Sequence, residues 1–284
     1  MKNRVMVTGS TGFNGSSLIA NKPLGLEIIT PRHEDLLNPK VELPKVDYII
    51  HAAGYAAPAL FMANPLSTVQ VNTATVIRLL GCFETPGAFL FCSSSEIYRG
   101  LTHAATEEEI GTTTPYHPRA CYIEGKRCGE TIINVCREVG FRAMSARIGL
   151  TYGPGTRVND ARVLNQFIQK AFLDKAIRLQ DDGSAVVSYG YSDDIARMLW
   201  KILLHGTQAV YNVAGTHKTT IRDLALLIGK KLHAEVYWPD APKGVGQAQM
   251  DLTRYCKEFG MPEYTPFNKG LDWTIEYQRS LYDV

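Results

Sequence analysis

No stretch of this chain is apolar for long enough to cross a membrane. The first apolar run breaks at Thr8-Gly9, too soon for a signal peptide. The six cysteines, at 82, 92, 121, 128, 136 and 256, include no C-x-x-C pair. That spacing excludes a zinc ribbon and gives no disulfide framework, so they read as reduced, buried thiols and no metal is expected. Charge of one sign is missing as well: 30 basic residues stand against 28 acidic ones, a formal net charge of +2. No basic run marks a nucleic-acid surface, and there is no internal repeat or low-complexity segment. These absences lead to the expectation of a cytosolic protein with a small-molecule substrate and no membrane or nucleic-acid partner. Apolar residues, in contrast, make up 45% of the 284, enough for one large domain or a domain with a smaller lobe.

The chain opens Arg4-Val-Met-Val-Thr-Gly9-Ser-Thr-Gly12-Phe-Asn-Gly15, a short apolar strand running into three glycines spaced by three. Such a turn lets backbone N–H groups at a helix N-terminus approach a pyrophosphate. Further on, a buried strand ending Phe91-Cys-Ser-Ser-Ser-Glu96-Ile-Tyr98 is followed by Tyr122-Ile-Glu-Gly-Lys126 at the start of a helix. Tyr122 and Lys126 are four residues apart and share a helix face. Tyrosine titrates near pH ~10, and an adjacent ammonium favours the phenolate, so the pair is expected to make a base. A serine at the strand end would hold a substrate hydroxyl against it. Together these parts suit proton abstraction from an alcohol coupled to hydride transfer.

Apolar periodicity predicts helices over 13–20, from Pro65 to about Phe83, and over 119–139, with strands over 26–30, 46–51, 88–92 and 142–148. Small residues at Ala52-Ala53-Gly54 permit close approach of a ligand to the end of the 46–51 strand. After Tyr152-Gly-Pro-Gly155 the pattern changes. A helix over 160–173 is followed by short strands mixed with helices at about 191–204, 220–232 and 251–259.

On these residues the chain resembles an extended short-chain dehydrogenase/reductase of the sugar-nucleotide epimerase, dehydratase and decarboxylase group. The likeness also takes in Asp47-Tyr-Ile-Ile-His51, Asn64-Pro65, Asn72, Arg147 before Tyr152-Gly-Pro-Gly155, and Asp251-Leu-Thr-Arg-Tyr-Cys-Lys-Glu-Phe-Gly260. Within the group, UDP-glucuronate decarboxylases are the most similar branch. The resemblance implies an α/β fold, a Rossmann-type doubly wound parallel sheet with a smaller C-terminal α/β substrate lobe. The NAD(P)-binding domain would span 1–150 plus about 188–215, and the lobe 151–187 and 216–284. It also implies a homodimer paired through the 65–83 and 119–139 helices.

By the same resemblance, cofactor contacts fall on Gly9, Thr11, Gly12, Phe13, Asn14 and Gly15, on Ala52, Ala53, Gly54 and Asn72, and on Tyr122 and Lys126. Asp35, in a compact adenine-side loop, would hold the adenine. Asn14 is unusual, since the family has an apolar residue before the third glycine. The second strand ends in Thr30-Pro31-Arg32-His33 rather than in an acid that would bind the ribose hydroxyls of NAD. Arg32 either meets a 2′-phosphate, which favours NADP, or is a solvated loop charge, so NAD and NADP both stay open. The catalytic set is Ser94, Glu96, Tyr122 and Lys126, with Ser95 beside the substrate and Ser93 a strand residue. In the implied reaction Tyr122 takes the C4 hydroxyl proton as hydride leaves C4, and the ketone then allows loss of CO2, water or a C5 proton. Glu96 would move that proton, or would be a rim carboxylate.

The family cradles the substrate diphosphate with an Asn and two Arg, and here those positions hold Leu150, Val187 and either Ala248 or Gln249. Charged groups that would substitute are Arg157, Arg162, His217 and Lys218. Arg162, in Asp160-Ala-Arg-Val, is the first choice because that segment resembles the family's uridine-side stretch. Three readings follow. The chain is a sugar-nucleotide enzyme with retained cofactor, an NADP-linked reductase of a smaller carbonyl or alcohol, or a non-catalytic dinucleotide-binding protein.

Overall fold

The structure is a computed structural model that describes residues 3–240, 246 and 248–282. Its first half alternates strand and helix: Asn3–Thr8 (β1), Phe13–Ala20 (α1), Leu26–Ile29 (β2), His33–Leu37 (α2) and Val46–His51 (β3). Three short helices follow, Pro58–Ala63 (α3), Pro65–Asn72 (α4) and Ala74–Leu80 (α5). Phe83–Ser94 (β4) runs into a single 3₁₀ turn, Ser95–Tyr98, before Ala120–Glu138 (α6) and Ala143–Ile148 (β5). The second half holds Leu150–Tyr152 (β6), Val163–Leu173 (α7), Ala176–Arg178 (β7), Val186–Tyr191 (β8) and Ser192–His205 (α8). Val210–Val213 (β9), His217–Thr220 (β10), Ile221–Leu232 (α9), Glu235–Tyr237 (β11), Thr253–Phe259 (α10) and Phe267–Tyr282 (α11) complete it.

One parallel sheet in the order β2-β1-β3-β4-β5-β9 organises the molecule. Its strands are near-continuous apolar runs because both faces are covered. Side chains alternate across a strand, and here the alternation builds two cores from one sheet. Val5, Val7, Ile50, Leu90 and Cys92 face one side with α8, while Met6, Ile49, Phe89 and Phe91 face the other with α4 to α6. The chain departs to β2 on one side of β1 and to β3 on the other, which makes the carboxyl ends of β1 and β3 the topological switch point where ligands bind. This is the doubly wound Rossmann arrangement. A second sheet, β10-β8-β6, and a pair, β11-β7, form the smaller lobe with α7, α9 and α11 around a core of Tyr152, Phe167, Tyr189, Leu224 and Leu271. Residues 188–191, expected with the first domain, belong to β8 and pair in this second sheet, whereas α8 and β9 pack on and in the first. Among the described residues, no helix is long and apolar enough to cross a membrane.

Several elements differ from the sequence-based expectation, among them helix α3, which was not expected, and β4, which is longer than the 88–92 strand. The helix predicted from Pro65 to Phe83 is broken at Thr73 (φ −127°, ψ −83°), where the hydroxyl bonds back to the Val69 carbonyl at 2.8 Å. A β-branched run with such a back-bond is poor helix sequence. The adenine-side loop contains a short helix, α2. The C-terminal helix α11 was not expected, although Phe267, Leu271, Thr274, Ile275 and Gln278 recur at helical spacing and are its buried face.

The sheet is pinned at its centre by His51, which is fully buried. Its Nε2 lies 2.9 Å from the Val71 carbonyl, an acceptor, so that nitrogen carries the proton and Nδ1 accepts from the Thr8 hydroxyl at 2.8 Å. Burial pushes the imidazole from its ordinary 6.5 down to about 4. The unfolded chain therefore binds this proton first on acidification, so stability is full above 6.5 and falls as pH drops toward 4. Denaturant titrations at about pH 7 and about pH 5 should differ by about 2 kcal/mol more in the wild type than in His51→Gln. Equal pH dependence in the two proteins would show that His51 takes up its proton as readily in the fold as in the unfolded chain.

Candidate active site

The glycine turn is a consequence of crowding at the switch point. Gly9 has φ +69°, and a Cβ there would lie 2.7 Å from the Ala52 carbonyl oxygen. A Cβ on Gly15 would lie 1.9 Å from the Gly9 carbonyl oxygen. Only bare backbone lets β1, α1 and β3 meet, and it leaves the first N–H groups of α1 without intrahelical partners. Thr11 is exposed, Phe13 and Asn14 are part-buried at the helix start, and Ala53 is buried at the end of β3. Two carboxamide oxygens, Asn14 Oδ1 and Asn72 Oδ1, are buried with no hydrogen-bond partner among the described residues. Asn72 lies against α6 at Gly125, next to Lys126. Free N–H groups and orphan acceptors along the ends of β1 and β3 fit a dinucleotide.

Arg32 and Asp35, expected on two different parts of that cofactor, are bound to each other. Arg32 donates from Nε and Nη2 to the two Asp35 oxygens, both at 3.1 Å. The hydrogen bond from Arg32 holds the Asp35 carboxyl below the usual range. A 2′-phosphate would have to compete with Asp35 for the same donors, so Arg32 gives no ground for favouring NADP over NAD.

The strand end of β4 brings the reaction centre together. Ser94, Tyr122 and Lys126 are each under a tenth exposed. The Ser94 side chain bonds the Tyr122 phenol and accepts from the Glu96 N–H at 3.2 Å. Phe61 of α3 stacks on the Tyr122 ring at 4.6 Å between centroids. Lys126 Nζ donates to the Cys92 carbonyl at 2.7 Å and stands 5.7 Å from the Tyr122 ring centroid. The expected lowering of the tyrosine by the lysine does not occur: burial pushes Tyr122 up to about 12, with the Ser94 hydrogen bond acting against it. Burial likewise pushes Lys126 down to about 8. Desolvation outweighs the pairing because both groups leave water together.

Glu96 is held by two arginines that sequence reading missed, Arg119 at 3.0 Å and Arg99 at 3.3 Å. The signals were Arg99, three residues on, and Arg119 at the cap of the helix bearing Tyr122. Ser95 is buried and lines a small cavity with Leu150, Ala248 and Met250. Arg162 lines neither this cavity nor its larger neighbour. Its guanidinium is closed on Asp160 at 2.7 Å and lies 4.2 Å over the Phe13 ring. Arg157 is exposed, and His217 stacks on Phe267 at 3.8 Å. Val187 is packed in the core of the smaller lobe. Among the described residues no cluster of His, Cys and carboxylates is arranged to hold a metal.

A model of the NAD dependent epimerase/dehydratase family matches residues 5–214. The chain belongs to that family. Among its relatives, UDP-glucuronic acid decarboxylase 1 of Danio rerio is 30% identical over 97% of this chain and 72% of that protein. UDP-glucuronic acid decarboxylase 6 of Arabidopsis thaliana is 28% identical, over 94% of this chain and 86% of its own length. Among solved structures, a UDP-N-acetylglucosamine 4-epimerase from Methanobrevibacter ruminantium, in complex with UDP-N-acetylmuramic acid, superposes with a TM-score of 0.82. It is 23% identical and the match covers 99% of both chains. That structure is a likeness of fold. The NAD-dependent character of the family agrees with the turn and orphan acceptors of this member.

The turn leaves no room for one methyl group. Gly15→Ala should weaken NAD binding by at least about tenfold and lower the melting temperature by several degrees, on the order of a 1–3 kcal/mol overpacking cost. Calorimetric titration with NAD and a thermal melt read both, and wild-type values in the variant would show that the turn is open.

Proposed function

We propose that the protein is an NAD(P)-dependent enzyme that oxidises a nucleotide sugar at C4 and then decarboxylates it. The observation that carries this reading is the buried Ser94, Tyr122 and Lys126 set at the end of β4, with Glu96 beside it. Names of relatives point the same way.

The N–H groups of the glycine turn, Asn14, Asn72 and Lys126 would hold the cofactor. Bound NAD(P) supplies a reversible acceptor for the C4 hydride. Tyr122, as phenolate, takes the C4 hydroxyl proton, and the Ser94 hydrogen bond favours that phenolate and aligns the hydroxyl. Walls of Phe61, Phe91 and Cys92 keep water from the pair. Once C4 is a ketone, the bond to the C5 carboxylate breaks, CO2 leaves, and its electrons pass into the C4–C5 enolate. Glu96, fixed by Arg99 and Arg119, would relay a proton from water to C5, and Tyr122 would return its proton to the C4 oxygen.

The protein also forms a homodimer in this reading. Leu66 and Ile77 on α4 and α5, Val135 on α6 and Val139 at its C-terminal cap are 53–84% exposed, and α4 packs beside α6. Free thiols at all six cysteines suit the reducing cytosol.

Purified protein given UDP-glucuronate and NAD should release CO2 and a UDP-pentose, seen by mass spectrometry of the nucleotide sugars. Tyr122→Phe should slow this by roughly 10²–10⁴-fold. Glu96→Gln should let reduced nicotinamide accumulate while the pentose fails to form. Full turnover in Glu96→Gln, with cofactor exchanged each cycle, would fit the reductase of a smaller substrate instead. Unchanged turnover in Tyr122→Phe would sink the mechanism.

For the assembly, sedimentation should give a dimer for the wild type and monomer for Leu66→Asp. A wild-type monomer would remove the homodimer from the reading.

A further inference from the structure

A cavity of about 510 Å³ opens between β8, β10 and α10, and Ser188, Gly215 and Met250 line both it and the small cavity that reaches Ser95. The two therefore share walls, and together they lead from the strand end that carries the reaction centre toward the surface. The near part is lined by Leu150 and Ala248, with no charged donor. The far part holds Lys218, Lys257, Thr216, Thr253 and Asp251. A volume of this order suits a small-molecule site.

Register accounts for Lys218. In the antiparallel pair β8·β10, Ser188 stands opposite Lys218 and Val187 opposite Thr219. Opposed residues share a face, so the face that sends Ser188 into both cavities also carries Lys218, while Val187 goes to the lobe's core. On α10, Thr253, Cys256 and Lys257 are spaced three and four apart and line the cavity from one helix face. Other basic groups near the substrate side are engaged: Arg99 and Arg119 with Glu96, Arg147 with Glu130, Arg162 with Asp160, and Arg254 with Glu108. Among the described residues, the Lys218 and Lys257 ammonium groups make no salt bridge or side-chain hydrogen bond, although Lys257 adds its charge to the Thr253 hydrogen bonds that hold the Asp251 carboxyl below its usual range.

We propose that Lys218 and Lys257 hold the diphosphate of the substrate, in place of the donors absent at Leu150, Val187 and Ala248. This rests on the sugar-nucleotide reading above. Two ammonium groups on opposite walls suit a diphosphate because each meets a separate phosphoryl group as a compact point charge. Asp251, whose Oδ1 accepts from the Thr253 N–H at 2.7 Å, keeps its other oxygen for a hydroxyl of the ligand. The pocket thus takes a polyhydroxyl diphosphate rather than a bare anion.

The test is calorimetric titration of NAD-loaded protein with UDP and, separately, with inorganic pyrophosphate, for wild type, Lys218→Ala, Lys257→Ala and Lys218→Arg. A charged hydrogen bond contributes about 1.5–3 kcal/mol, so each alanine variant should bind UDP at least about tenfold more weakly. Lys218→Arg should bind within a few-fold of wild type, and raising the salt should weaken wild-type binding more than that of either alanine variant. NAD affinity should be unchanged in all four, which separates a lost contact from a damaged fold. UDP bound equally by wild type and both alanine variants would overturn the lysine site and leave the sugar-nucleotide reading standing. Pyrophosphate bound through both lysines without any UDP binding would keep the lysine site and overturn the nucleotide. Binding of neither by the wild type would overturn both.

Discussion

Arg147 and Glu130 form the buried ion pair on which the rest of the site depends. Arg147 Nη2 meets Glu130 Oε2 at 2.8 Å, and both side chains are about nine-tenths buried. Glu130 also accepts from the Ser93 hydroxyl, the residue before Ser94. From Arg147 Nη1, bonds go to the Tyr98 hydroxyl at 2.7 Å and to the Glu107 carbonyl at 2.9 Å. Tyr98 donates to Asn212 Oδ1, and Asn212 Nδ2 reaches the Asp251 carbonyl at 2.8 Å. One charge pair thus ties the helix bearing Tyr122 and Lys126 to β4, to the turn bearing Glu96, and to the segment that enters the substrate cavity. Removing one partner of such a pair leaves an unmatched buried charge at a cost of roughly 3–5 kcal/mol. The network therefore fixes geometry more than it adds stability, because placing both charges out of water is costly even when they meet.

Burial decides the electrostatics of the reaction centre as well. Lys126 is held down to about 8 and Tyr122 up to about 12, each by desolvation. A proton on Tyr122 is thus favoured until a positive partner or a transition state rewards its loss. The Ser94 hydrogen bond is the piece already aimed at the phenolate. Glu96 differs, since two guanidinium groups pair with its carboxylate. In the proposed reaction, a buried phenol and a paired carboxylate at one strand end would divide the proton transfers at C4 and C5 between them.

The sheet was legible because its code is local. Alternating Val5, Met6 and Val7, the three glycines and the Tyr-x-x-x-Lys spacing each state a geometry within a few residues. What was lost in reading depends on partners. Arg32 and Arg162 were read as free charges, yet each has an aspartate within three residues and closes on it. That part was available, since an exposed arginine meets a near carboxylate at little entropic cost. The partners of Glu96 and Arg147 were not all available: Arg119 is 23 residues from Glu96 and Glu107 is 40 from Arg147. Helix α11 was missed because Gly270 sits in its first turns, where a Cβ would come 2.5 Å from the Tyr152 hydroxyl. The residue that reads as a helix breaker is the one that lets the helix pack.

The neutral positions at 150, 187 and 248 are where sequence and structure inform each other most. Read alone, three missing donors, two of them charged, argue for a different substrate. In the fold, Val187 points into a core, so a charge restored there would need a different side-chain course to reach the cavity. Leu150 and Ala248 border a space of about 20 Å³ beside Ser95, too small for a hydrated diphosphate. The space and the Lys218 and Lys257 ammonium groups both lie farther out, between β10 and α10. A ligand whose charge sits there and whose reactive carbon reaches β4 must be extended, as a sugar joined to a diphosphate is. The loss of charge near the centre and its gain at the rim are then one displacement of the same requirement along the cleft.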